Sequence, residues 1–185
     1  MLKQPLDTLG KYYDSLEITV RNSHFKNLLN TKYKKFKKYS KVKEAQRMIQ
    51  KGNKAPLFSL VGVDQKKYTI DFTSKTYKVL DFWGSWCGPC VQGFPKMKEY
   101  HEKYNDKINF IGIACKDNEA NWKKAIEKHK LPWLNLINLN SLEMDVSIKY
   151  AVRAYPTKVL INSKGKIVEV FKGEGDDFYD KLDQL

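Results

Sequence analysis

Two cysteines, Cys87 and Cys90, stand three positions apart in the stretch DFWGSWCGPC at 81–90. Thiols at positions i and i+3 of a helix start have Cα atoms about 5–6 Å apart, which suits a relaxed disulfide. Gly88 and Pro89 fit the first helical turn, where proline's missing N–H costs no hydrogen bond. The free N–H groups and positive dipole end of that helix should stabilise a thiolate at Cys87. The spacing therefore predicts a redox-active pair in which Cys87 is the nucleophile.

An aspartate, Asp81, lies six residues before the first cysteine, inside the apolar stretch KVLDFW at 78–83. This stretch predicts a buried strand. A buried carboxylate costs free energy unless it is used, and desolvation raises its pKa toward the range useful for proton transfer. We therefore predict that Asp81 helps to deprotonate the second thiol, Cys90. Trp83 and Trp86 should line the site and shield the disulfide on one side.

A structural zinc site and a structural disulfide are the alternative uses of such a pair. Zinc needs four ligands, and the sequence has no second CxxC and no HxxxH, since its histidines are scattered at His24, His101 and His129. A disulfide that closes so small a loop would stabilise little, because the entropy it removes grows with loop length. The third cysteine, Cys115, is expected to be a buried packing residue, with a regulatory or resolving role as the alternative.

The hydrophobic period changes at KGNKAP, 51–56, which reads as a helix stop and a domain boundary. Before it, apolar residues at helical spacing predict an amphipathic helix over 22–38, and a second apolar set on another face predicts a break near 39–41. The first set is Phe25, Leu29, Tyr33 and Phe36, and the second is Val42, Ala45 and Ile49.

After the boundary, strands alternate with helices and a hairpin closes the chain. The predicted strands are two short ones within 56–71, then 78–83, 108–115, 157–162 and 167–173. The predicted helices are 91–104 with a kink at Pro95, 118–130, a short one near 142–151, and a last one running from a cap at Asp176 to Leu185. This order predicts an α/β fold with a central mixed sheet and helices on both faces.

The length and charge of the chain limit the number of domains and the kinds of binding partner. A chain of 185 residues that is 42% hydrophobic supports one substantial core with an attached segment. Of the net charge of +13, most lies in residues 1–54, which hold 14 Lys and Arg against 4 Asp and Glu. Such a run is usually a solvated helix face; an anionic membrane surface or an acidic partner is the alternative. Nucleic acid is not expected, because Lys dominates over Arg and no binding motif accompanies the run.

No stretch of the sequence is long and apolar enough for a signal-peptide core or a membrane span. The chain is therefore expected to be soluble, either as given or as part of a longer exported precursor.

The segment VLDFWGSWCGPC at 79–90 resembles the active-site strand, loop and helix of the thioredoxin superfamily. A second segment, VRAYPTKVLIN at 152–162, resembles the part of that superfamily that carries a cis-proline, here Pro156. With KGNKAPLFSL, CVQGFP and LEMDVSIKYAVRAYPT, the similarity points to TlpA-like and ResA-like thiol-disulfide oxidoreductases, relatives of the AhpC/TSA proteins. It covers roughly residues 52–185.

The resemblance implies a thioredoxin-like catalytic domain over 52–185, preceded by a basic helical extension or connector over 1–51 that would be the remnant of a larger upstream region, absent here. It implies exchange of disulfides with protein or peptide substrates, as a reductant, in the periplasm. The Cys87–Cys90 disulfide would be the only redox group, with no metal or organic cofactor, and an upstream electron-donor reductase would regenerate the dithiol.

The resemblance also implies where the substrate binds. The cis-proline segment would offer the backbone of Tyr155, next to Pro156, to an extended substrate as a short strand pairing. The remaining substrate-binding residues would be Trp86, Gly88 and Pro89.

Two positions depart from the family pattern. ResA-like proteins commonly have a glutamate three residues after the second cysteine, where this chain has Gly93, and the strand FIGIAC at 110–115 lacks the lysine that thioredoxins place near the aspartate. We therefore expect a less tuned Asp81. A peroxide-reducing AhpC/TSA-type relative is one rival function, although its PxxxTxxC context is missing. A non-catalytic binding module that uses the basic helices is the other.

Overall fold

The computed structural model describes residues 5–72, 74–138 and 145–185. Its helices are α1 Pro5–Ser15, α2 Ile18–Arg21, α3 Lys26–Met48, α4 Gly88–Lys103, α5 Glu119–His129, α6 Val146–Lys149 and α7 Asp176–Asp183. Its strands are β1 Phe58–Gly62, β2 Lys67–Ile70, β3 Tyr77–Trp83, β4 Ile108–Cys115, β5 Leu134–Asn138, β6 Thr157–Ile161 and β7 Ile167–Lys172.

The strands form one mixed sheet in the order β2-β1-β5-β4-β3-β6-β7. Strands β3, β4 and β5 run parallel to one another, and the hairpins β1–β2 and β6–β7 join them antiparallel at the two sides. Strand β3 is buried along nearly its whole length, as its apolar sequence predicts for a strand covered on both faces. The α/β class and the mixed sheet are confirmed.

Two apolar clusters cover the opposite faces of this sheet. One contains side chains from α4, α5 and α7, and the other contains side chains from α6 and from Ile49, just after α3. Successive side chains of a strand point to opposite faces. On β3, Val79 and Trp83 belong to the first cluster, whereas Leu80 and Phe82 belong to the second. Residue 81 therefore faces the side of α4.

The sequence analysis misses helices α1 and α2 and strand β5. Asparagine is depleted in strands, and Asn135 and Asn138 interrupt the apolar pattern there. Side-chain hydrogen bonds partly compensate: the Asn135 amide donates to the nearby Trp133 carbonyl at 2.7 Å, and the Asn138 amide donates to Asp145, outside the strand, at 2.8 Å. Strand β5 is essential to the topology, because it joins the first hairpin to β4.

The break predicted near residues 39–41 is wrong, because α3 runs without interruption from Lys26 to Met48. Its two apolar faces have two different partners. Near its N-terminal end, the Tyr33 ring stacks on Tyr13 of α1 with ring centroids 3.8 Å apart. Near its C-terminal end, Val42 is buried and Lys38 pairs with Asp145 at 3.4 Å, just before α6. One straight helix can therefore carry both patterns.

Other sequence predictions are adjusted locally. Helix α7 begins at Asp176, but its N-cap is Gly175 and makes no side-chain capping bond, so the predicted cap is wrong by one position. The Asp176 carboxylate instead pairs with Lys96 of α4. Pro95 lies inside α4, as predicted. The helix predicted near 142–151 appears as α6, and residues 142–144 lie outside the described part.

The proposed boundary between an extension over 1–51 and a domain over 52–185 stays a prediction. Among the described residues, no helix combines the length and apolar character needed to cross a membrane.

Candidate active site

The two cysteines at the start of α4 form a disulfide with a Cα–Cα distance of 5.3 Å, inside the range that their spacing predicts. Cys87 is the N-cap residue, and Gly88 and Pro89 form the first positions of the helix. The Cys90 backbone N–H points at the Cys87 sulfur, 3.3 Å away. When the disulfide opens, this donor and the helix dipole favour a thiolate at Cys87.

The loop before α4 is held in place from the β4 side. The backbone N–H and hydroxyl of Ser85 donate to the Asp117 carboxylate at 2.6 and 2.8 Å. The Trp86 indole N–H donates to the Cys115 carbonyl at 3.1 Å. Gly84 makes this arrangement possible, because a Cβ there would lie 2.4 Å from the indole nitrogen. The loop residues therefore fix the indole beside the disulfide.

Exposed residues flank the cysteine pair, although both cysteines are themselves buried. The Trp86 side chain is 52% exposed and meets the Tyr155 ring edge-on at a centroid distance of 5.4 Å. Tyr155 also packs against the apolar cluster that contains both cysteines, and its peptide bond to the buried Pro156 is cis. Gly88 and Pro89, between the two cysteines, are also exposed. The structure thus brings the predicted substrate-binding residues together, while their role stays a prediction.

The predicted acid, Asp81, is 3% exposed and lies on β3, on the face of the sheet that α4 covers. Its neighbours across the sheet are Gly112 of β4 and Lys158 of β6. Burial raises the pKa of Asp81, although the Lys158 charge opposes this shift. The Oδ1 atom accepts no hydrogen bond from the described residues, although it forms an ion pair with Lys158.

The lysine that the sequence analysis found to be missing is present, but it comes from the opposite neighbouring strand. The Lys158 ammonium group lies 3.6 Å from Oδ1 of Asp81, and its side chain is 3% exposed. The lysine that pairs with Asp81 therefore lies on β6 and not on β4. The sequence does contain a sign of this pair. A lysine stands inside the apolar stretch TKVLIN, two residues after Pro156, and a lysine is almost never fully buried unless an acidic side chain pairs with it.

The acid that is missing at Gly93 is replaced in space by Glu174, which the sequence analysis did not single out. The Glu174 carboxylate accepts a hydrogen bond from Lys158 at 2.6 Å and another from the Tyr179 hydroxyl at 2.8 Å. A Cβ at Gly93 would lie 2.4 Å from the carboxyl carbon of Glu174. The expectation of a less tuned Asp81 rested on the absence of both charged neighbours, and the structure removes that ground by placing Lys158 and Glu174 near it.

The third thiol, Cys115, is 1% exposed at the end of β4. Burial raises its pKa to about 12. A thiol with this pKa is almost entirely protonated at neutral pH and is a poor nucleophile. These properties agree with the packing role expected for it.

The family model described as Redoxin matches residues 50–184. The chain belongs to the Redoxin family. It is 30% identical over 125 residues to the thiol-disulfide oxidoreductase ResA of Bacillus thuringiensis subsp. konkukian, which covers 66% of this chain and 70% of ResA. It is 29% identical over 128 residues to the thioredoxin-like protein YneN of Bacillus subtilis, which covers 68% of this chain and 73% of YneN.

Solved structures of thiol-disulfide oxidoreductases have the same fold. The thioredoxin domain of a thiol-disulfide oxidoreductase from Bacteroides vulgatus superimposes with a TM-score of 0.66 at 25% identity, over 73% of this chain and 96% of that domain. A thiol-disulfide oxidoreductase from Bacteroides fragilis gives a TM-score of 0.64 at 27% identity, over 71% of this chain and 98% of that one. The chain is a thiol-disulfide oxidoreductase with a thioredoxin-like fold.

Proposed function

We propose that the dithiol form of this protein reduces disulfides in protein or peptide substrates. The Cys87 thiolate attacks a substrate disulfide, and one substrate sulfur leaves as a thiolate. Cys90 loses its proton to Asp81 and attacks Cys87, which releases the second substrate sulfur and leaves the Cys87–Cys90 disulfide. The supporting observation is the position of Cys87 at the start of α4, paired with Cys90 and next to the exposed indole of Trp86.

The surface around Trp86 and Tyr155 is proposed to receive the substrate. An extended peptide would lie across Gly88 and Pro89 and pair with the backbone at Tyr155 and Pro156, as a strand added to an exposed backbone edge. Main-chain pairing tolerates many side chains, so this mode suits a set of substrates rather than one sequence.

The direction of exchange is proposed to be reductive. A stable thiolate makes the dithiol form stable and the pair oxidising. Here Pro89 removes one N–H from the first turn of α4, and the Cys90 N–H is the donor that reaches the Cys87 sulfur. Weaker stabilisation of the thiolate favours donation of electrons. Thiol-disulfide exchange involves only sulfur atoms and protons, so we propose that no metal or organic cofactor takes part.

The reduction potential of the Cys87–Cys90 pair tests this direction. We expect a two-electron transition closer to the thioredoxin value of about −270 mV than to the DsbA value of about −120 mV. The protein would be equilibrated in dithiothreitol or glutathione buffers and followed by tryptophan fluorescence, because Trp83 lies in the same buried cluster as both cysteines. A potential near about −120 mV would reverse the proposed direction, and Cys87→Ser should abolish the transition.

A reductive cycle consumes two electrons per substrate disulfide, so the protein needs a donor that restores the dithiol. We propose an upstream thiol reductase for this step. We also propose that the cycle operates outside the cytoplasm, in the periplasm, where protein disulfides persist and a reductant has substrates.

We further propose that the extension rests on an anionic membrane surface. Helix α3 carries eight lysines. Large apolar side chains beside them are exposed, with exposed fractions of 69% for Ile18, 63% for Phe25 and 55% for Leu28. Lysines around exposed apolar groups match the requirements for binding in the plane of an anionic bilayer.

Cosedimentation with vesicles tests this contact. We expect binding to phosphatidylglycerol vesicles, no binding to phosphatidylcholine vesicles, and release at about 1 M salt, where the Debye length is only about 3 Å. The double change Lys34→Glu and Lys35→Glu should abolish binding, whereas Lys124→Glu and Lys128→Glu on exposed positions of α5 should not. Failure of the wild-type protein to bind, or equal loss in both double variants, would leave α3 as a solvated helix.

A further inference from the structure

Three charged side chains are connected on the face of the sheet that α4 covers. The Lys158 ammonium group lies 3.6 Å from Oδ1 of Asp81 on one side and 2.6 Å from Oε2 of Glu174 on the other. The side chains of Lys158, Asp81 and Glu174 are 3%, 4% and 22% exposed. The side chain of Asp81 is therefore the less exposed of the two acids. Glu174 is the more exposed one, and it lies in the loop between β7 and α7.

The loop sequence directs Glu174 inward. Gly173 has a φ of +86°, a backbone conformation that favours glycine, and it turns the chain directly after β7. The Glu174 side chain then extends toward α4, where Gly93 leaves the space that its carboxylate fills. A residue with a Cβ at position 93 would push that carboxylate out of this space.

The charges of the group do not balance when all three are ionised. Two carboxylates share one ammonium ion, and a buried net charge of this kind is costly. From α7, the Tyr179 hydroxyl donates to Glu174 and the Phe178 ring lies 5.5 Å from the Lys158 nitrogen. From β4, Gly112 contributes no side chain opposite Asp81, and α4 contributes the two cysteines. The group therefore holds one proton readily, on one of its two acids.

We propose that Glu174 is the outer acid of a proton path that carries the Cys90 proton from Asp81 through Lys158 to the solvent. This inference rests on the proposed function, because it concerns the step in which Cys90 attacks the mixed disulfide. Glu174 does not touch the reacting sulfurs, so it is a positioning and relay residue rather than a catalytic one.

The step balances in atoms and electrons. The Cys90 thiol gives its proton to the Asp81 carboxylate, and the resulting thiolate forms a bond to the Cys87 sulfur while the bond from Cys87 to the substrate sulfur breaks. The substrate leaves with the electron pair as a thiolate. Before the new sulfur–sulfur bond forms, Asp81 passes this proton to Lys158 as the ammonium group passes one to Glu174, which releases it to water and regains its charge, so the Cys90 thiolate cannot recapture the proton.

Glu174→Gln tests the path, because the amide keeps the size of the side chain but cannot carry the proton. The reduced protein would be mixed with Ellman's reagent in a stopped-flow instrument, and the second release of thionitrobenzoate would report the attack of Cys90 on Cys87. We expect this rate to fall about tenfold, less than the hundredfold or more that removing a general base itself costs. The matched control is Glu169→Gln, at an exposed position of β7, which should leave the rate unchanged.

The pH profile separates a relay from a merely structural role. Removing the Glu174 charge lowers the pKa of Asp81, so the midpoint of the rate should move about one unit to lower pH. Lys158→Met removes the opposing positive charge, so the midpoint should move to higher pH. Gly93→Ala displaces the Glu174 carboxylate without changing any charged residue, and it should reproduce the slower rate of Glu174→Gln in a helix that alanine favours.

An unchanged rate and midpoint in both Glu174→Gln and Gly93→Ala would overturn the path and leave the disulfide exchange intact. Failure of the exchange itself has a different signature, because the wild-type protein would then show no Cys87-dependent release at all.

Discussion

Replacing Cys90 with serine should turn the protein into a trap for its substrates. Cys87 would still attack a substrate disulfide, but no second thiol would release the mixed disulfide, so a covalent adduct should accumulate. In contrast, Cys87→Ser should form no adduct and lower disulfide reduction at least about a thousandfold, since the nucleophile is lost. Insulin reduction measures the turnover, and nonreducing electrophoresis with mass spectrometry measures the adduct.

The buried thiol provides the matched control for this trap. The double variant Cys90→Ser with Cys115→Ser should trap the same adduct, which would show that Cys87 holds the substrate. Retention of full activity by Cys87→Ser would instead support the rival reading of a binding module in which the cysteine pair is vestigial. Cys87-dependent turnover of hydrogen peroxide would support the peroxide-reducing rival.

Replacing Asp81 with asparagine should make the protein more stable and slower. Burial raises the pKa of Asp81, so the folded state binds its proton more tightly than the unfolded chain does. Stability then falls as pH rises from the unfolded pKa of about 4 through the folded pKa, and the full cost is present above both. At pH 8 the asparagine variant should have the higher free energy of unfolding, and the difference should disappear below about pH 4.

Urea denaturation of the oxidised protein from pH 4 to pH 8 measures the free energy of unfolding of wild type and Asp81→Asn. The matched control is Asp180→Asn, at an exposed position of α7. The second expected effect is on rate: the attack of Cys90 on Cys87 in the mixed disulfide should be about a hundredfold slower, as for the loss of a general base. A wild-type protein that is more stable than the variant at pH 8 would show that Lys158 more than offsets the burial of this carboxylate. Unchanged kinetics would remove Asp81 from the mechanism.

The local features of the site follow from short stretches of sequence. The spacing of Cys87 and Cys90 places both sulfurs at one helix start, and the apolar stretch around Asp81 buries its carboxyl group on the same side of the sheet. Most strands and helices also follow from hydrophobic period, because their burial patterns are local properties of the chain. The family resemblance added Tyr155 and Pro156, and the structure places the Tyr155 ring against Trp86.

Contacts between segments that are distant along the chain could not be predicted from short stretches of sequence. Strand β5 forms despite its asparagines because a partner outside the strand, Asp145, accepts the Asn138 hydrogen bond. Helix α3 stays continuous because its two apolar faces meet different neighbours, α1 and the chain before α6. In both cases a local rule about residue preference is outweighed by tertiary partners.

By itself, the sequence determined the redox pair, its helix start, the buried acid and the α/β class, since each depends on residues that are close together along the chain. Only the tertiary structure decided what surrounds the acid. Lys158 lies 77 positions after Asp81, and Glu174 lies 81 positions after Gly93. Sheet register and a glycine-flanked loop bring them together, because the pairing of β3 with β6 and the turn after β7 fix which charges share the buried space.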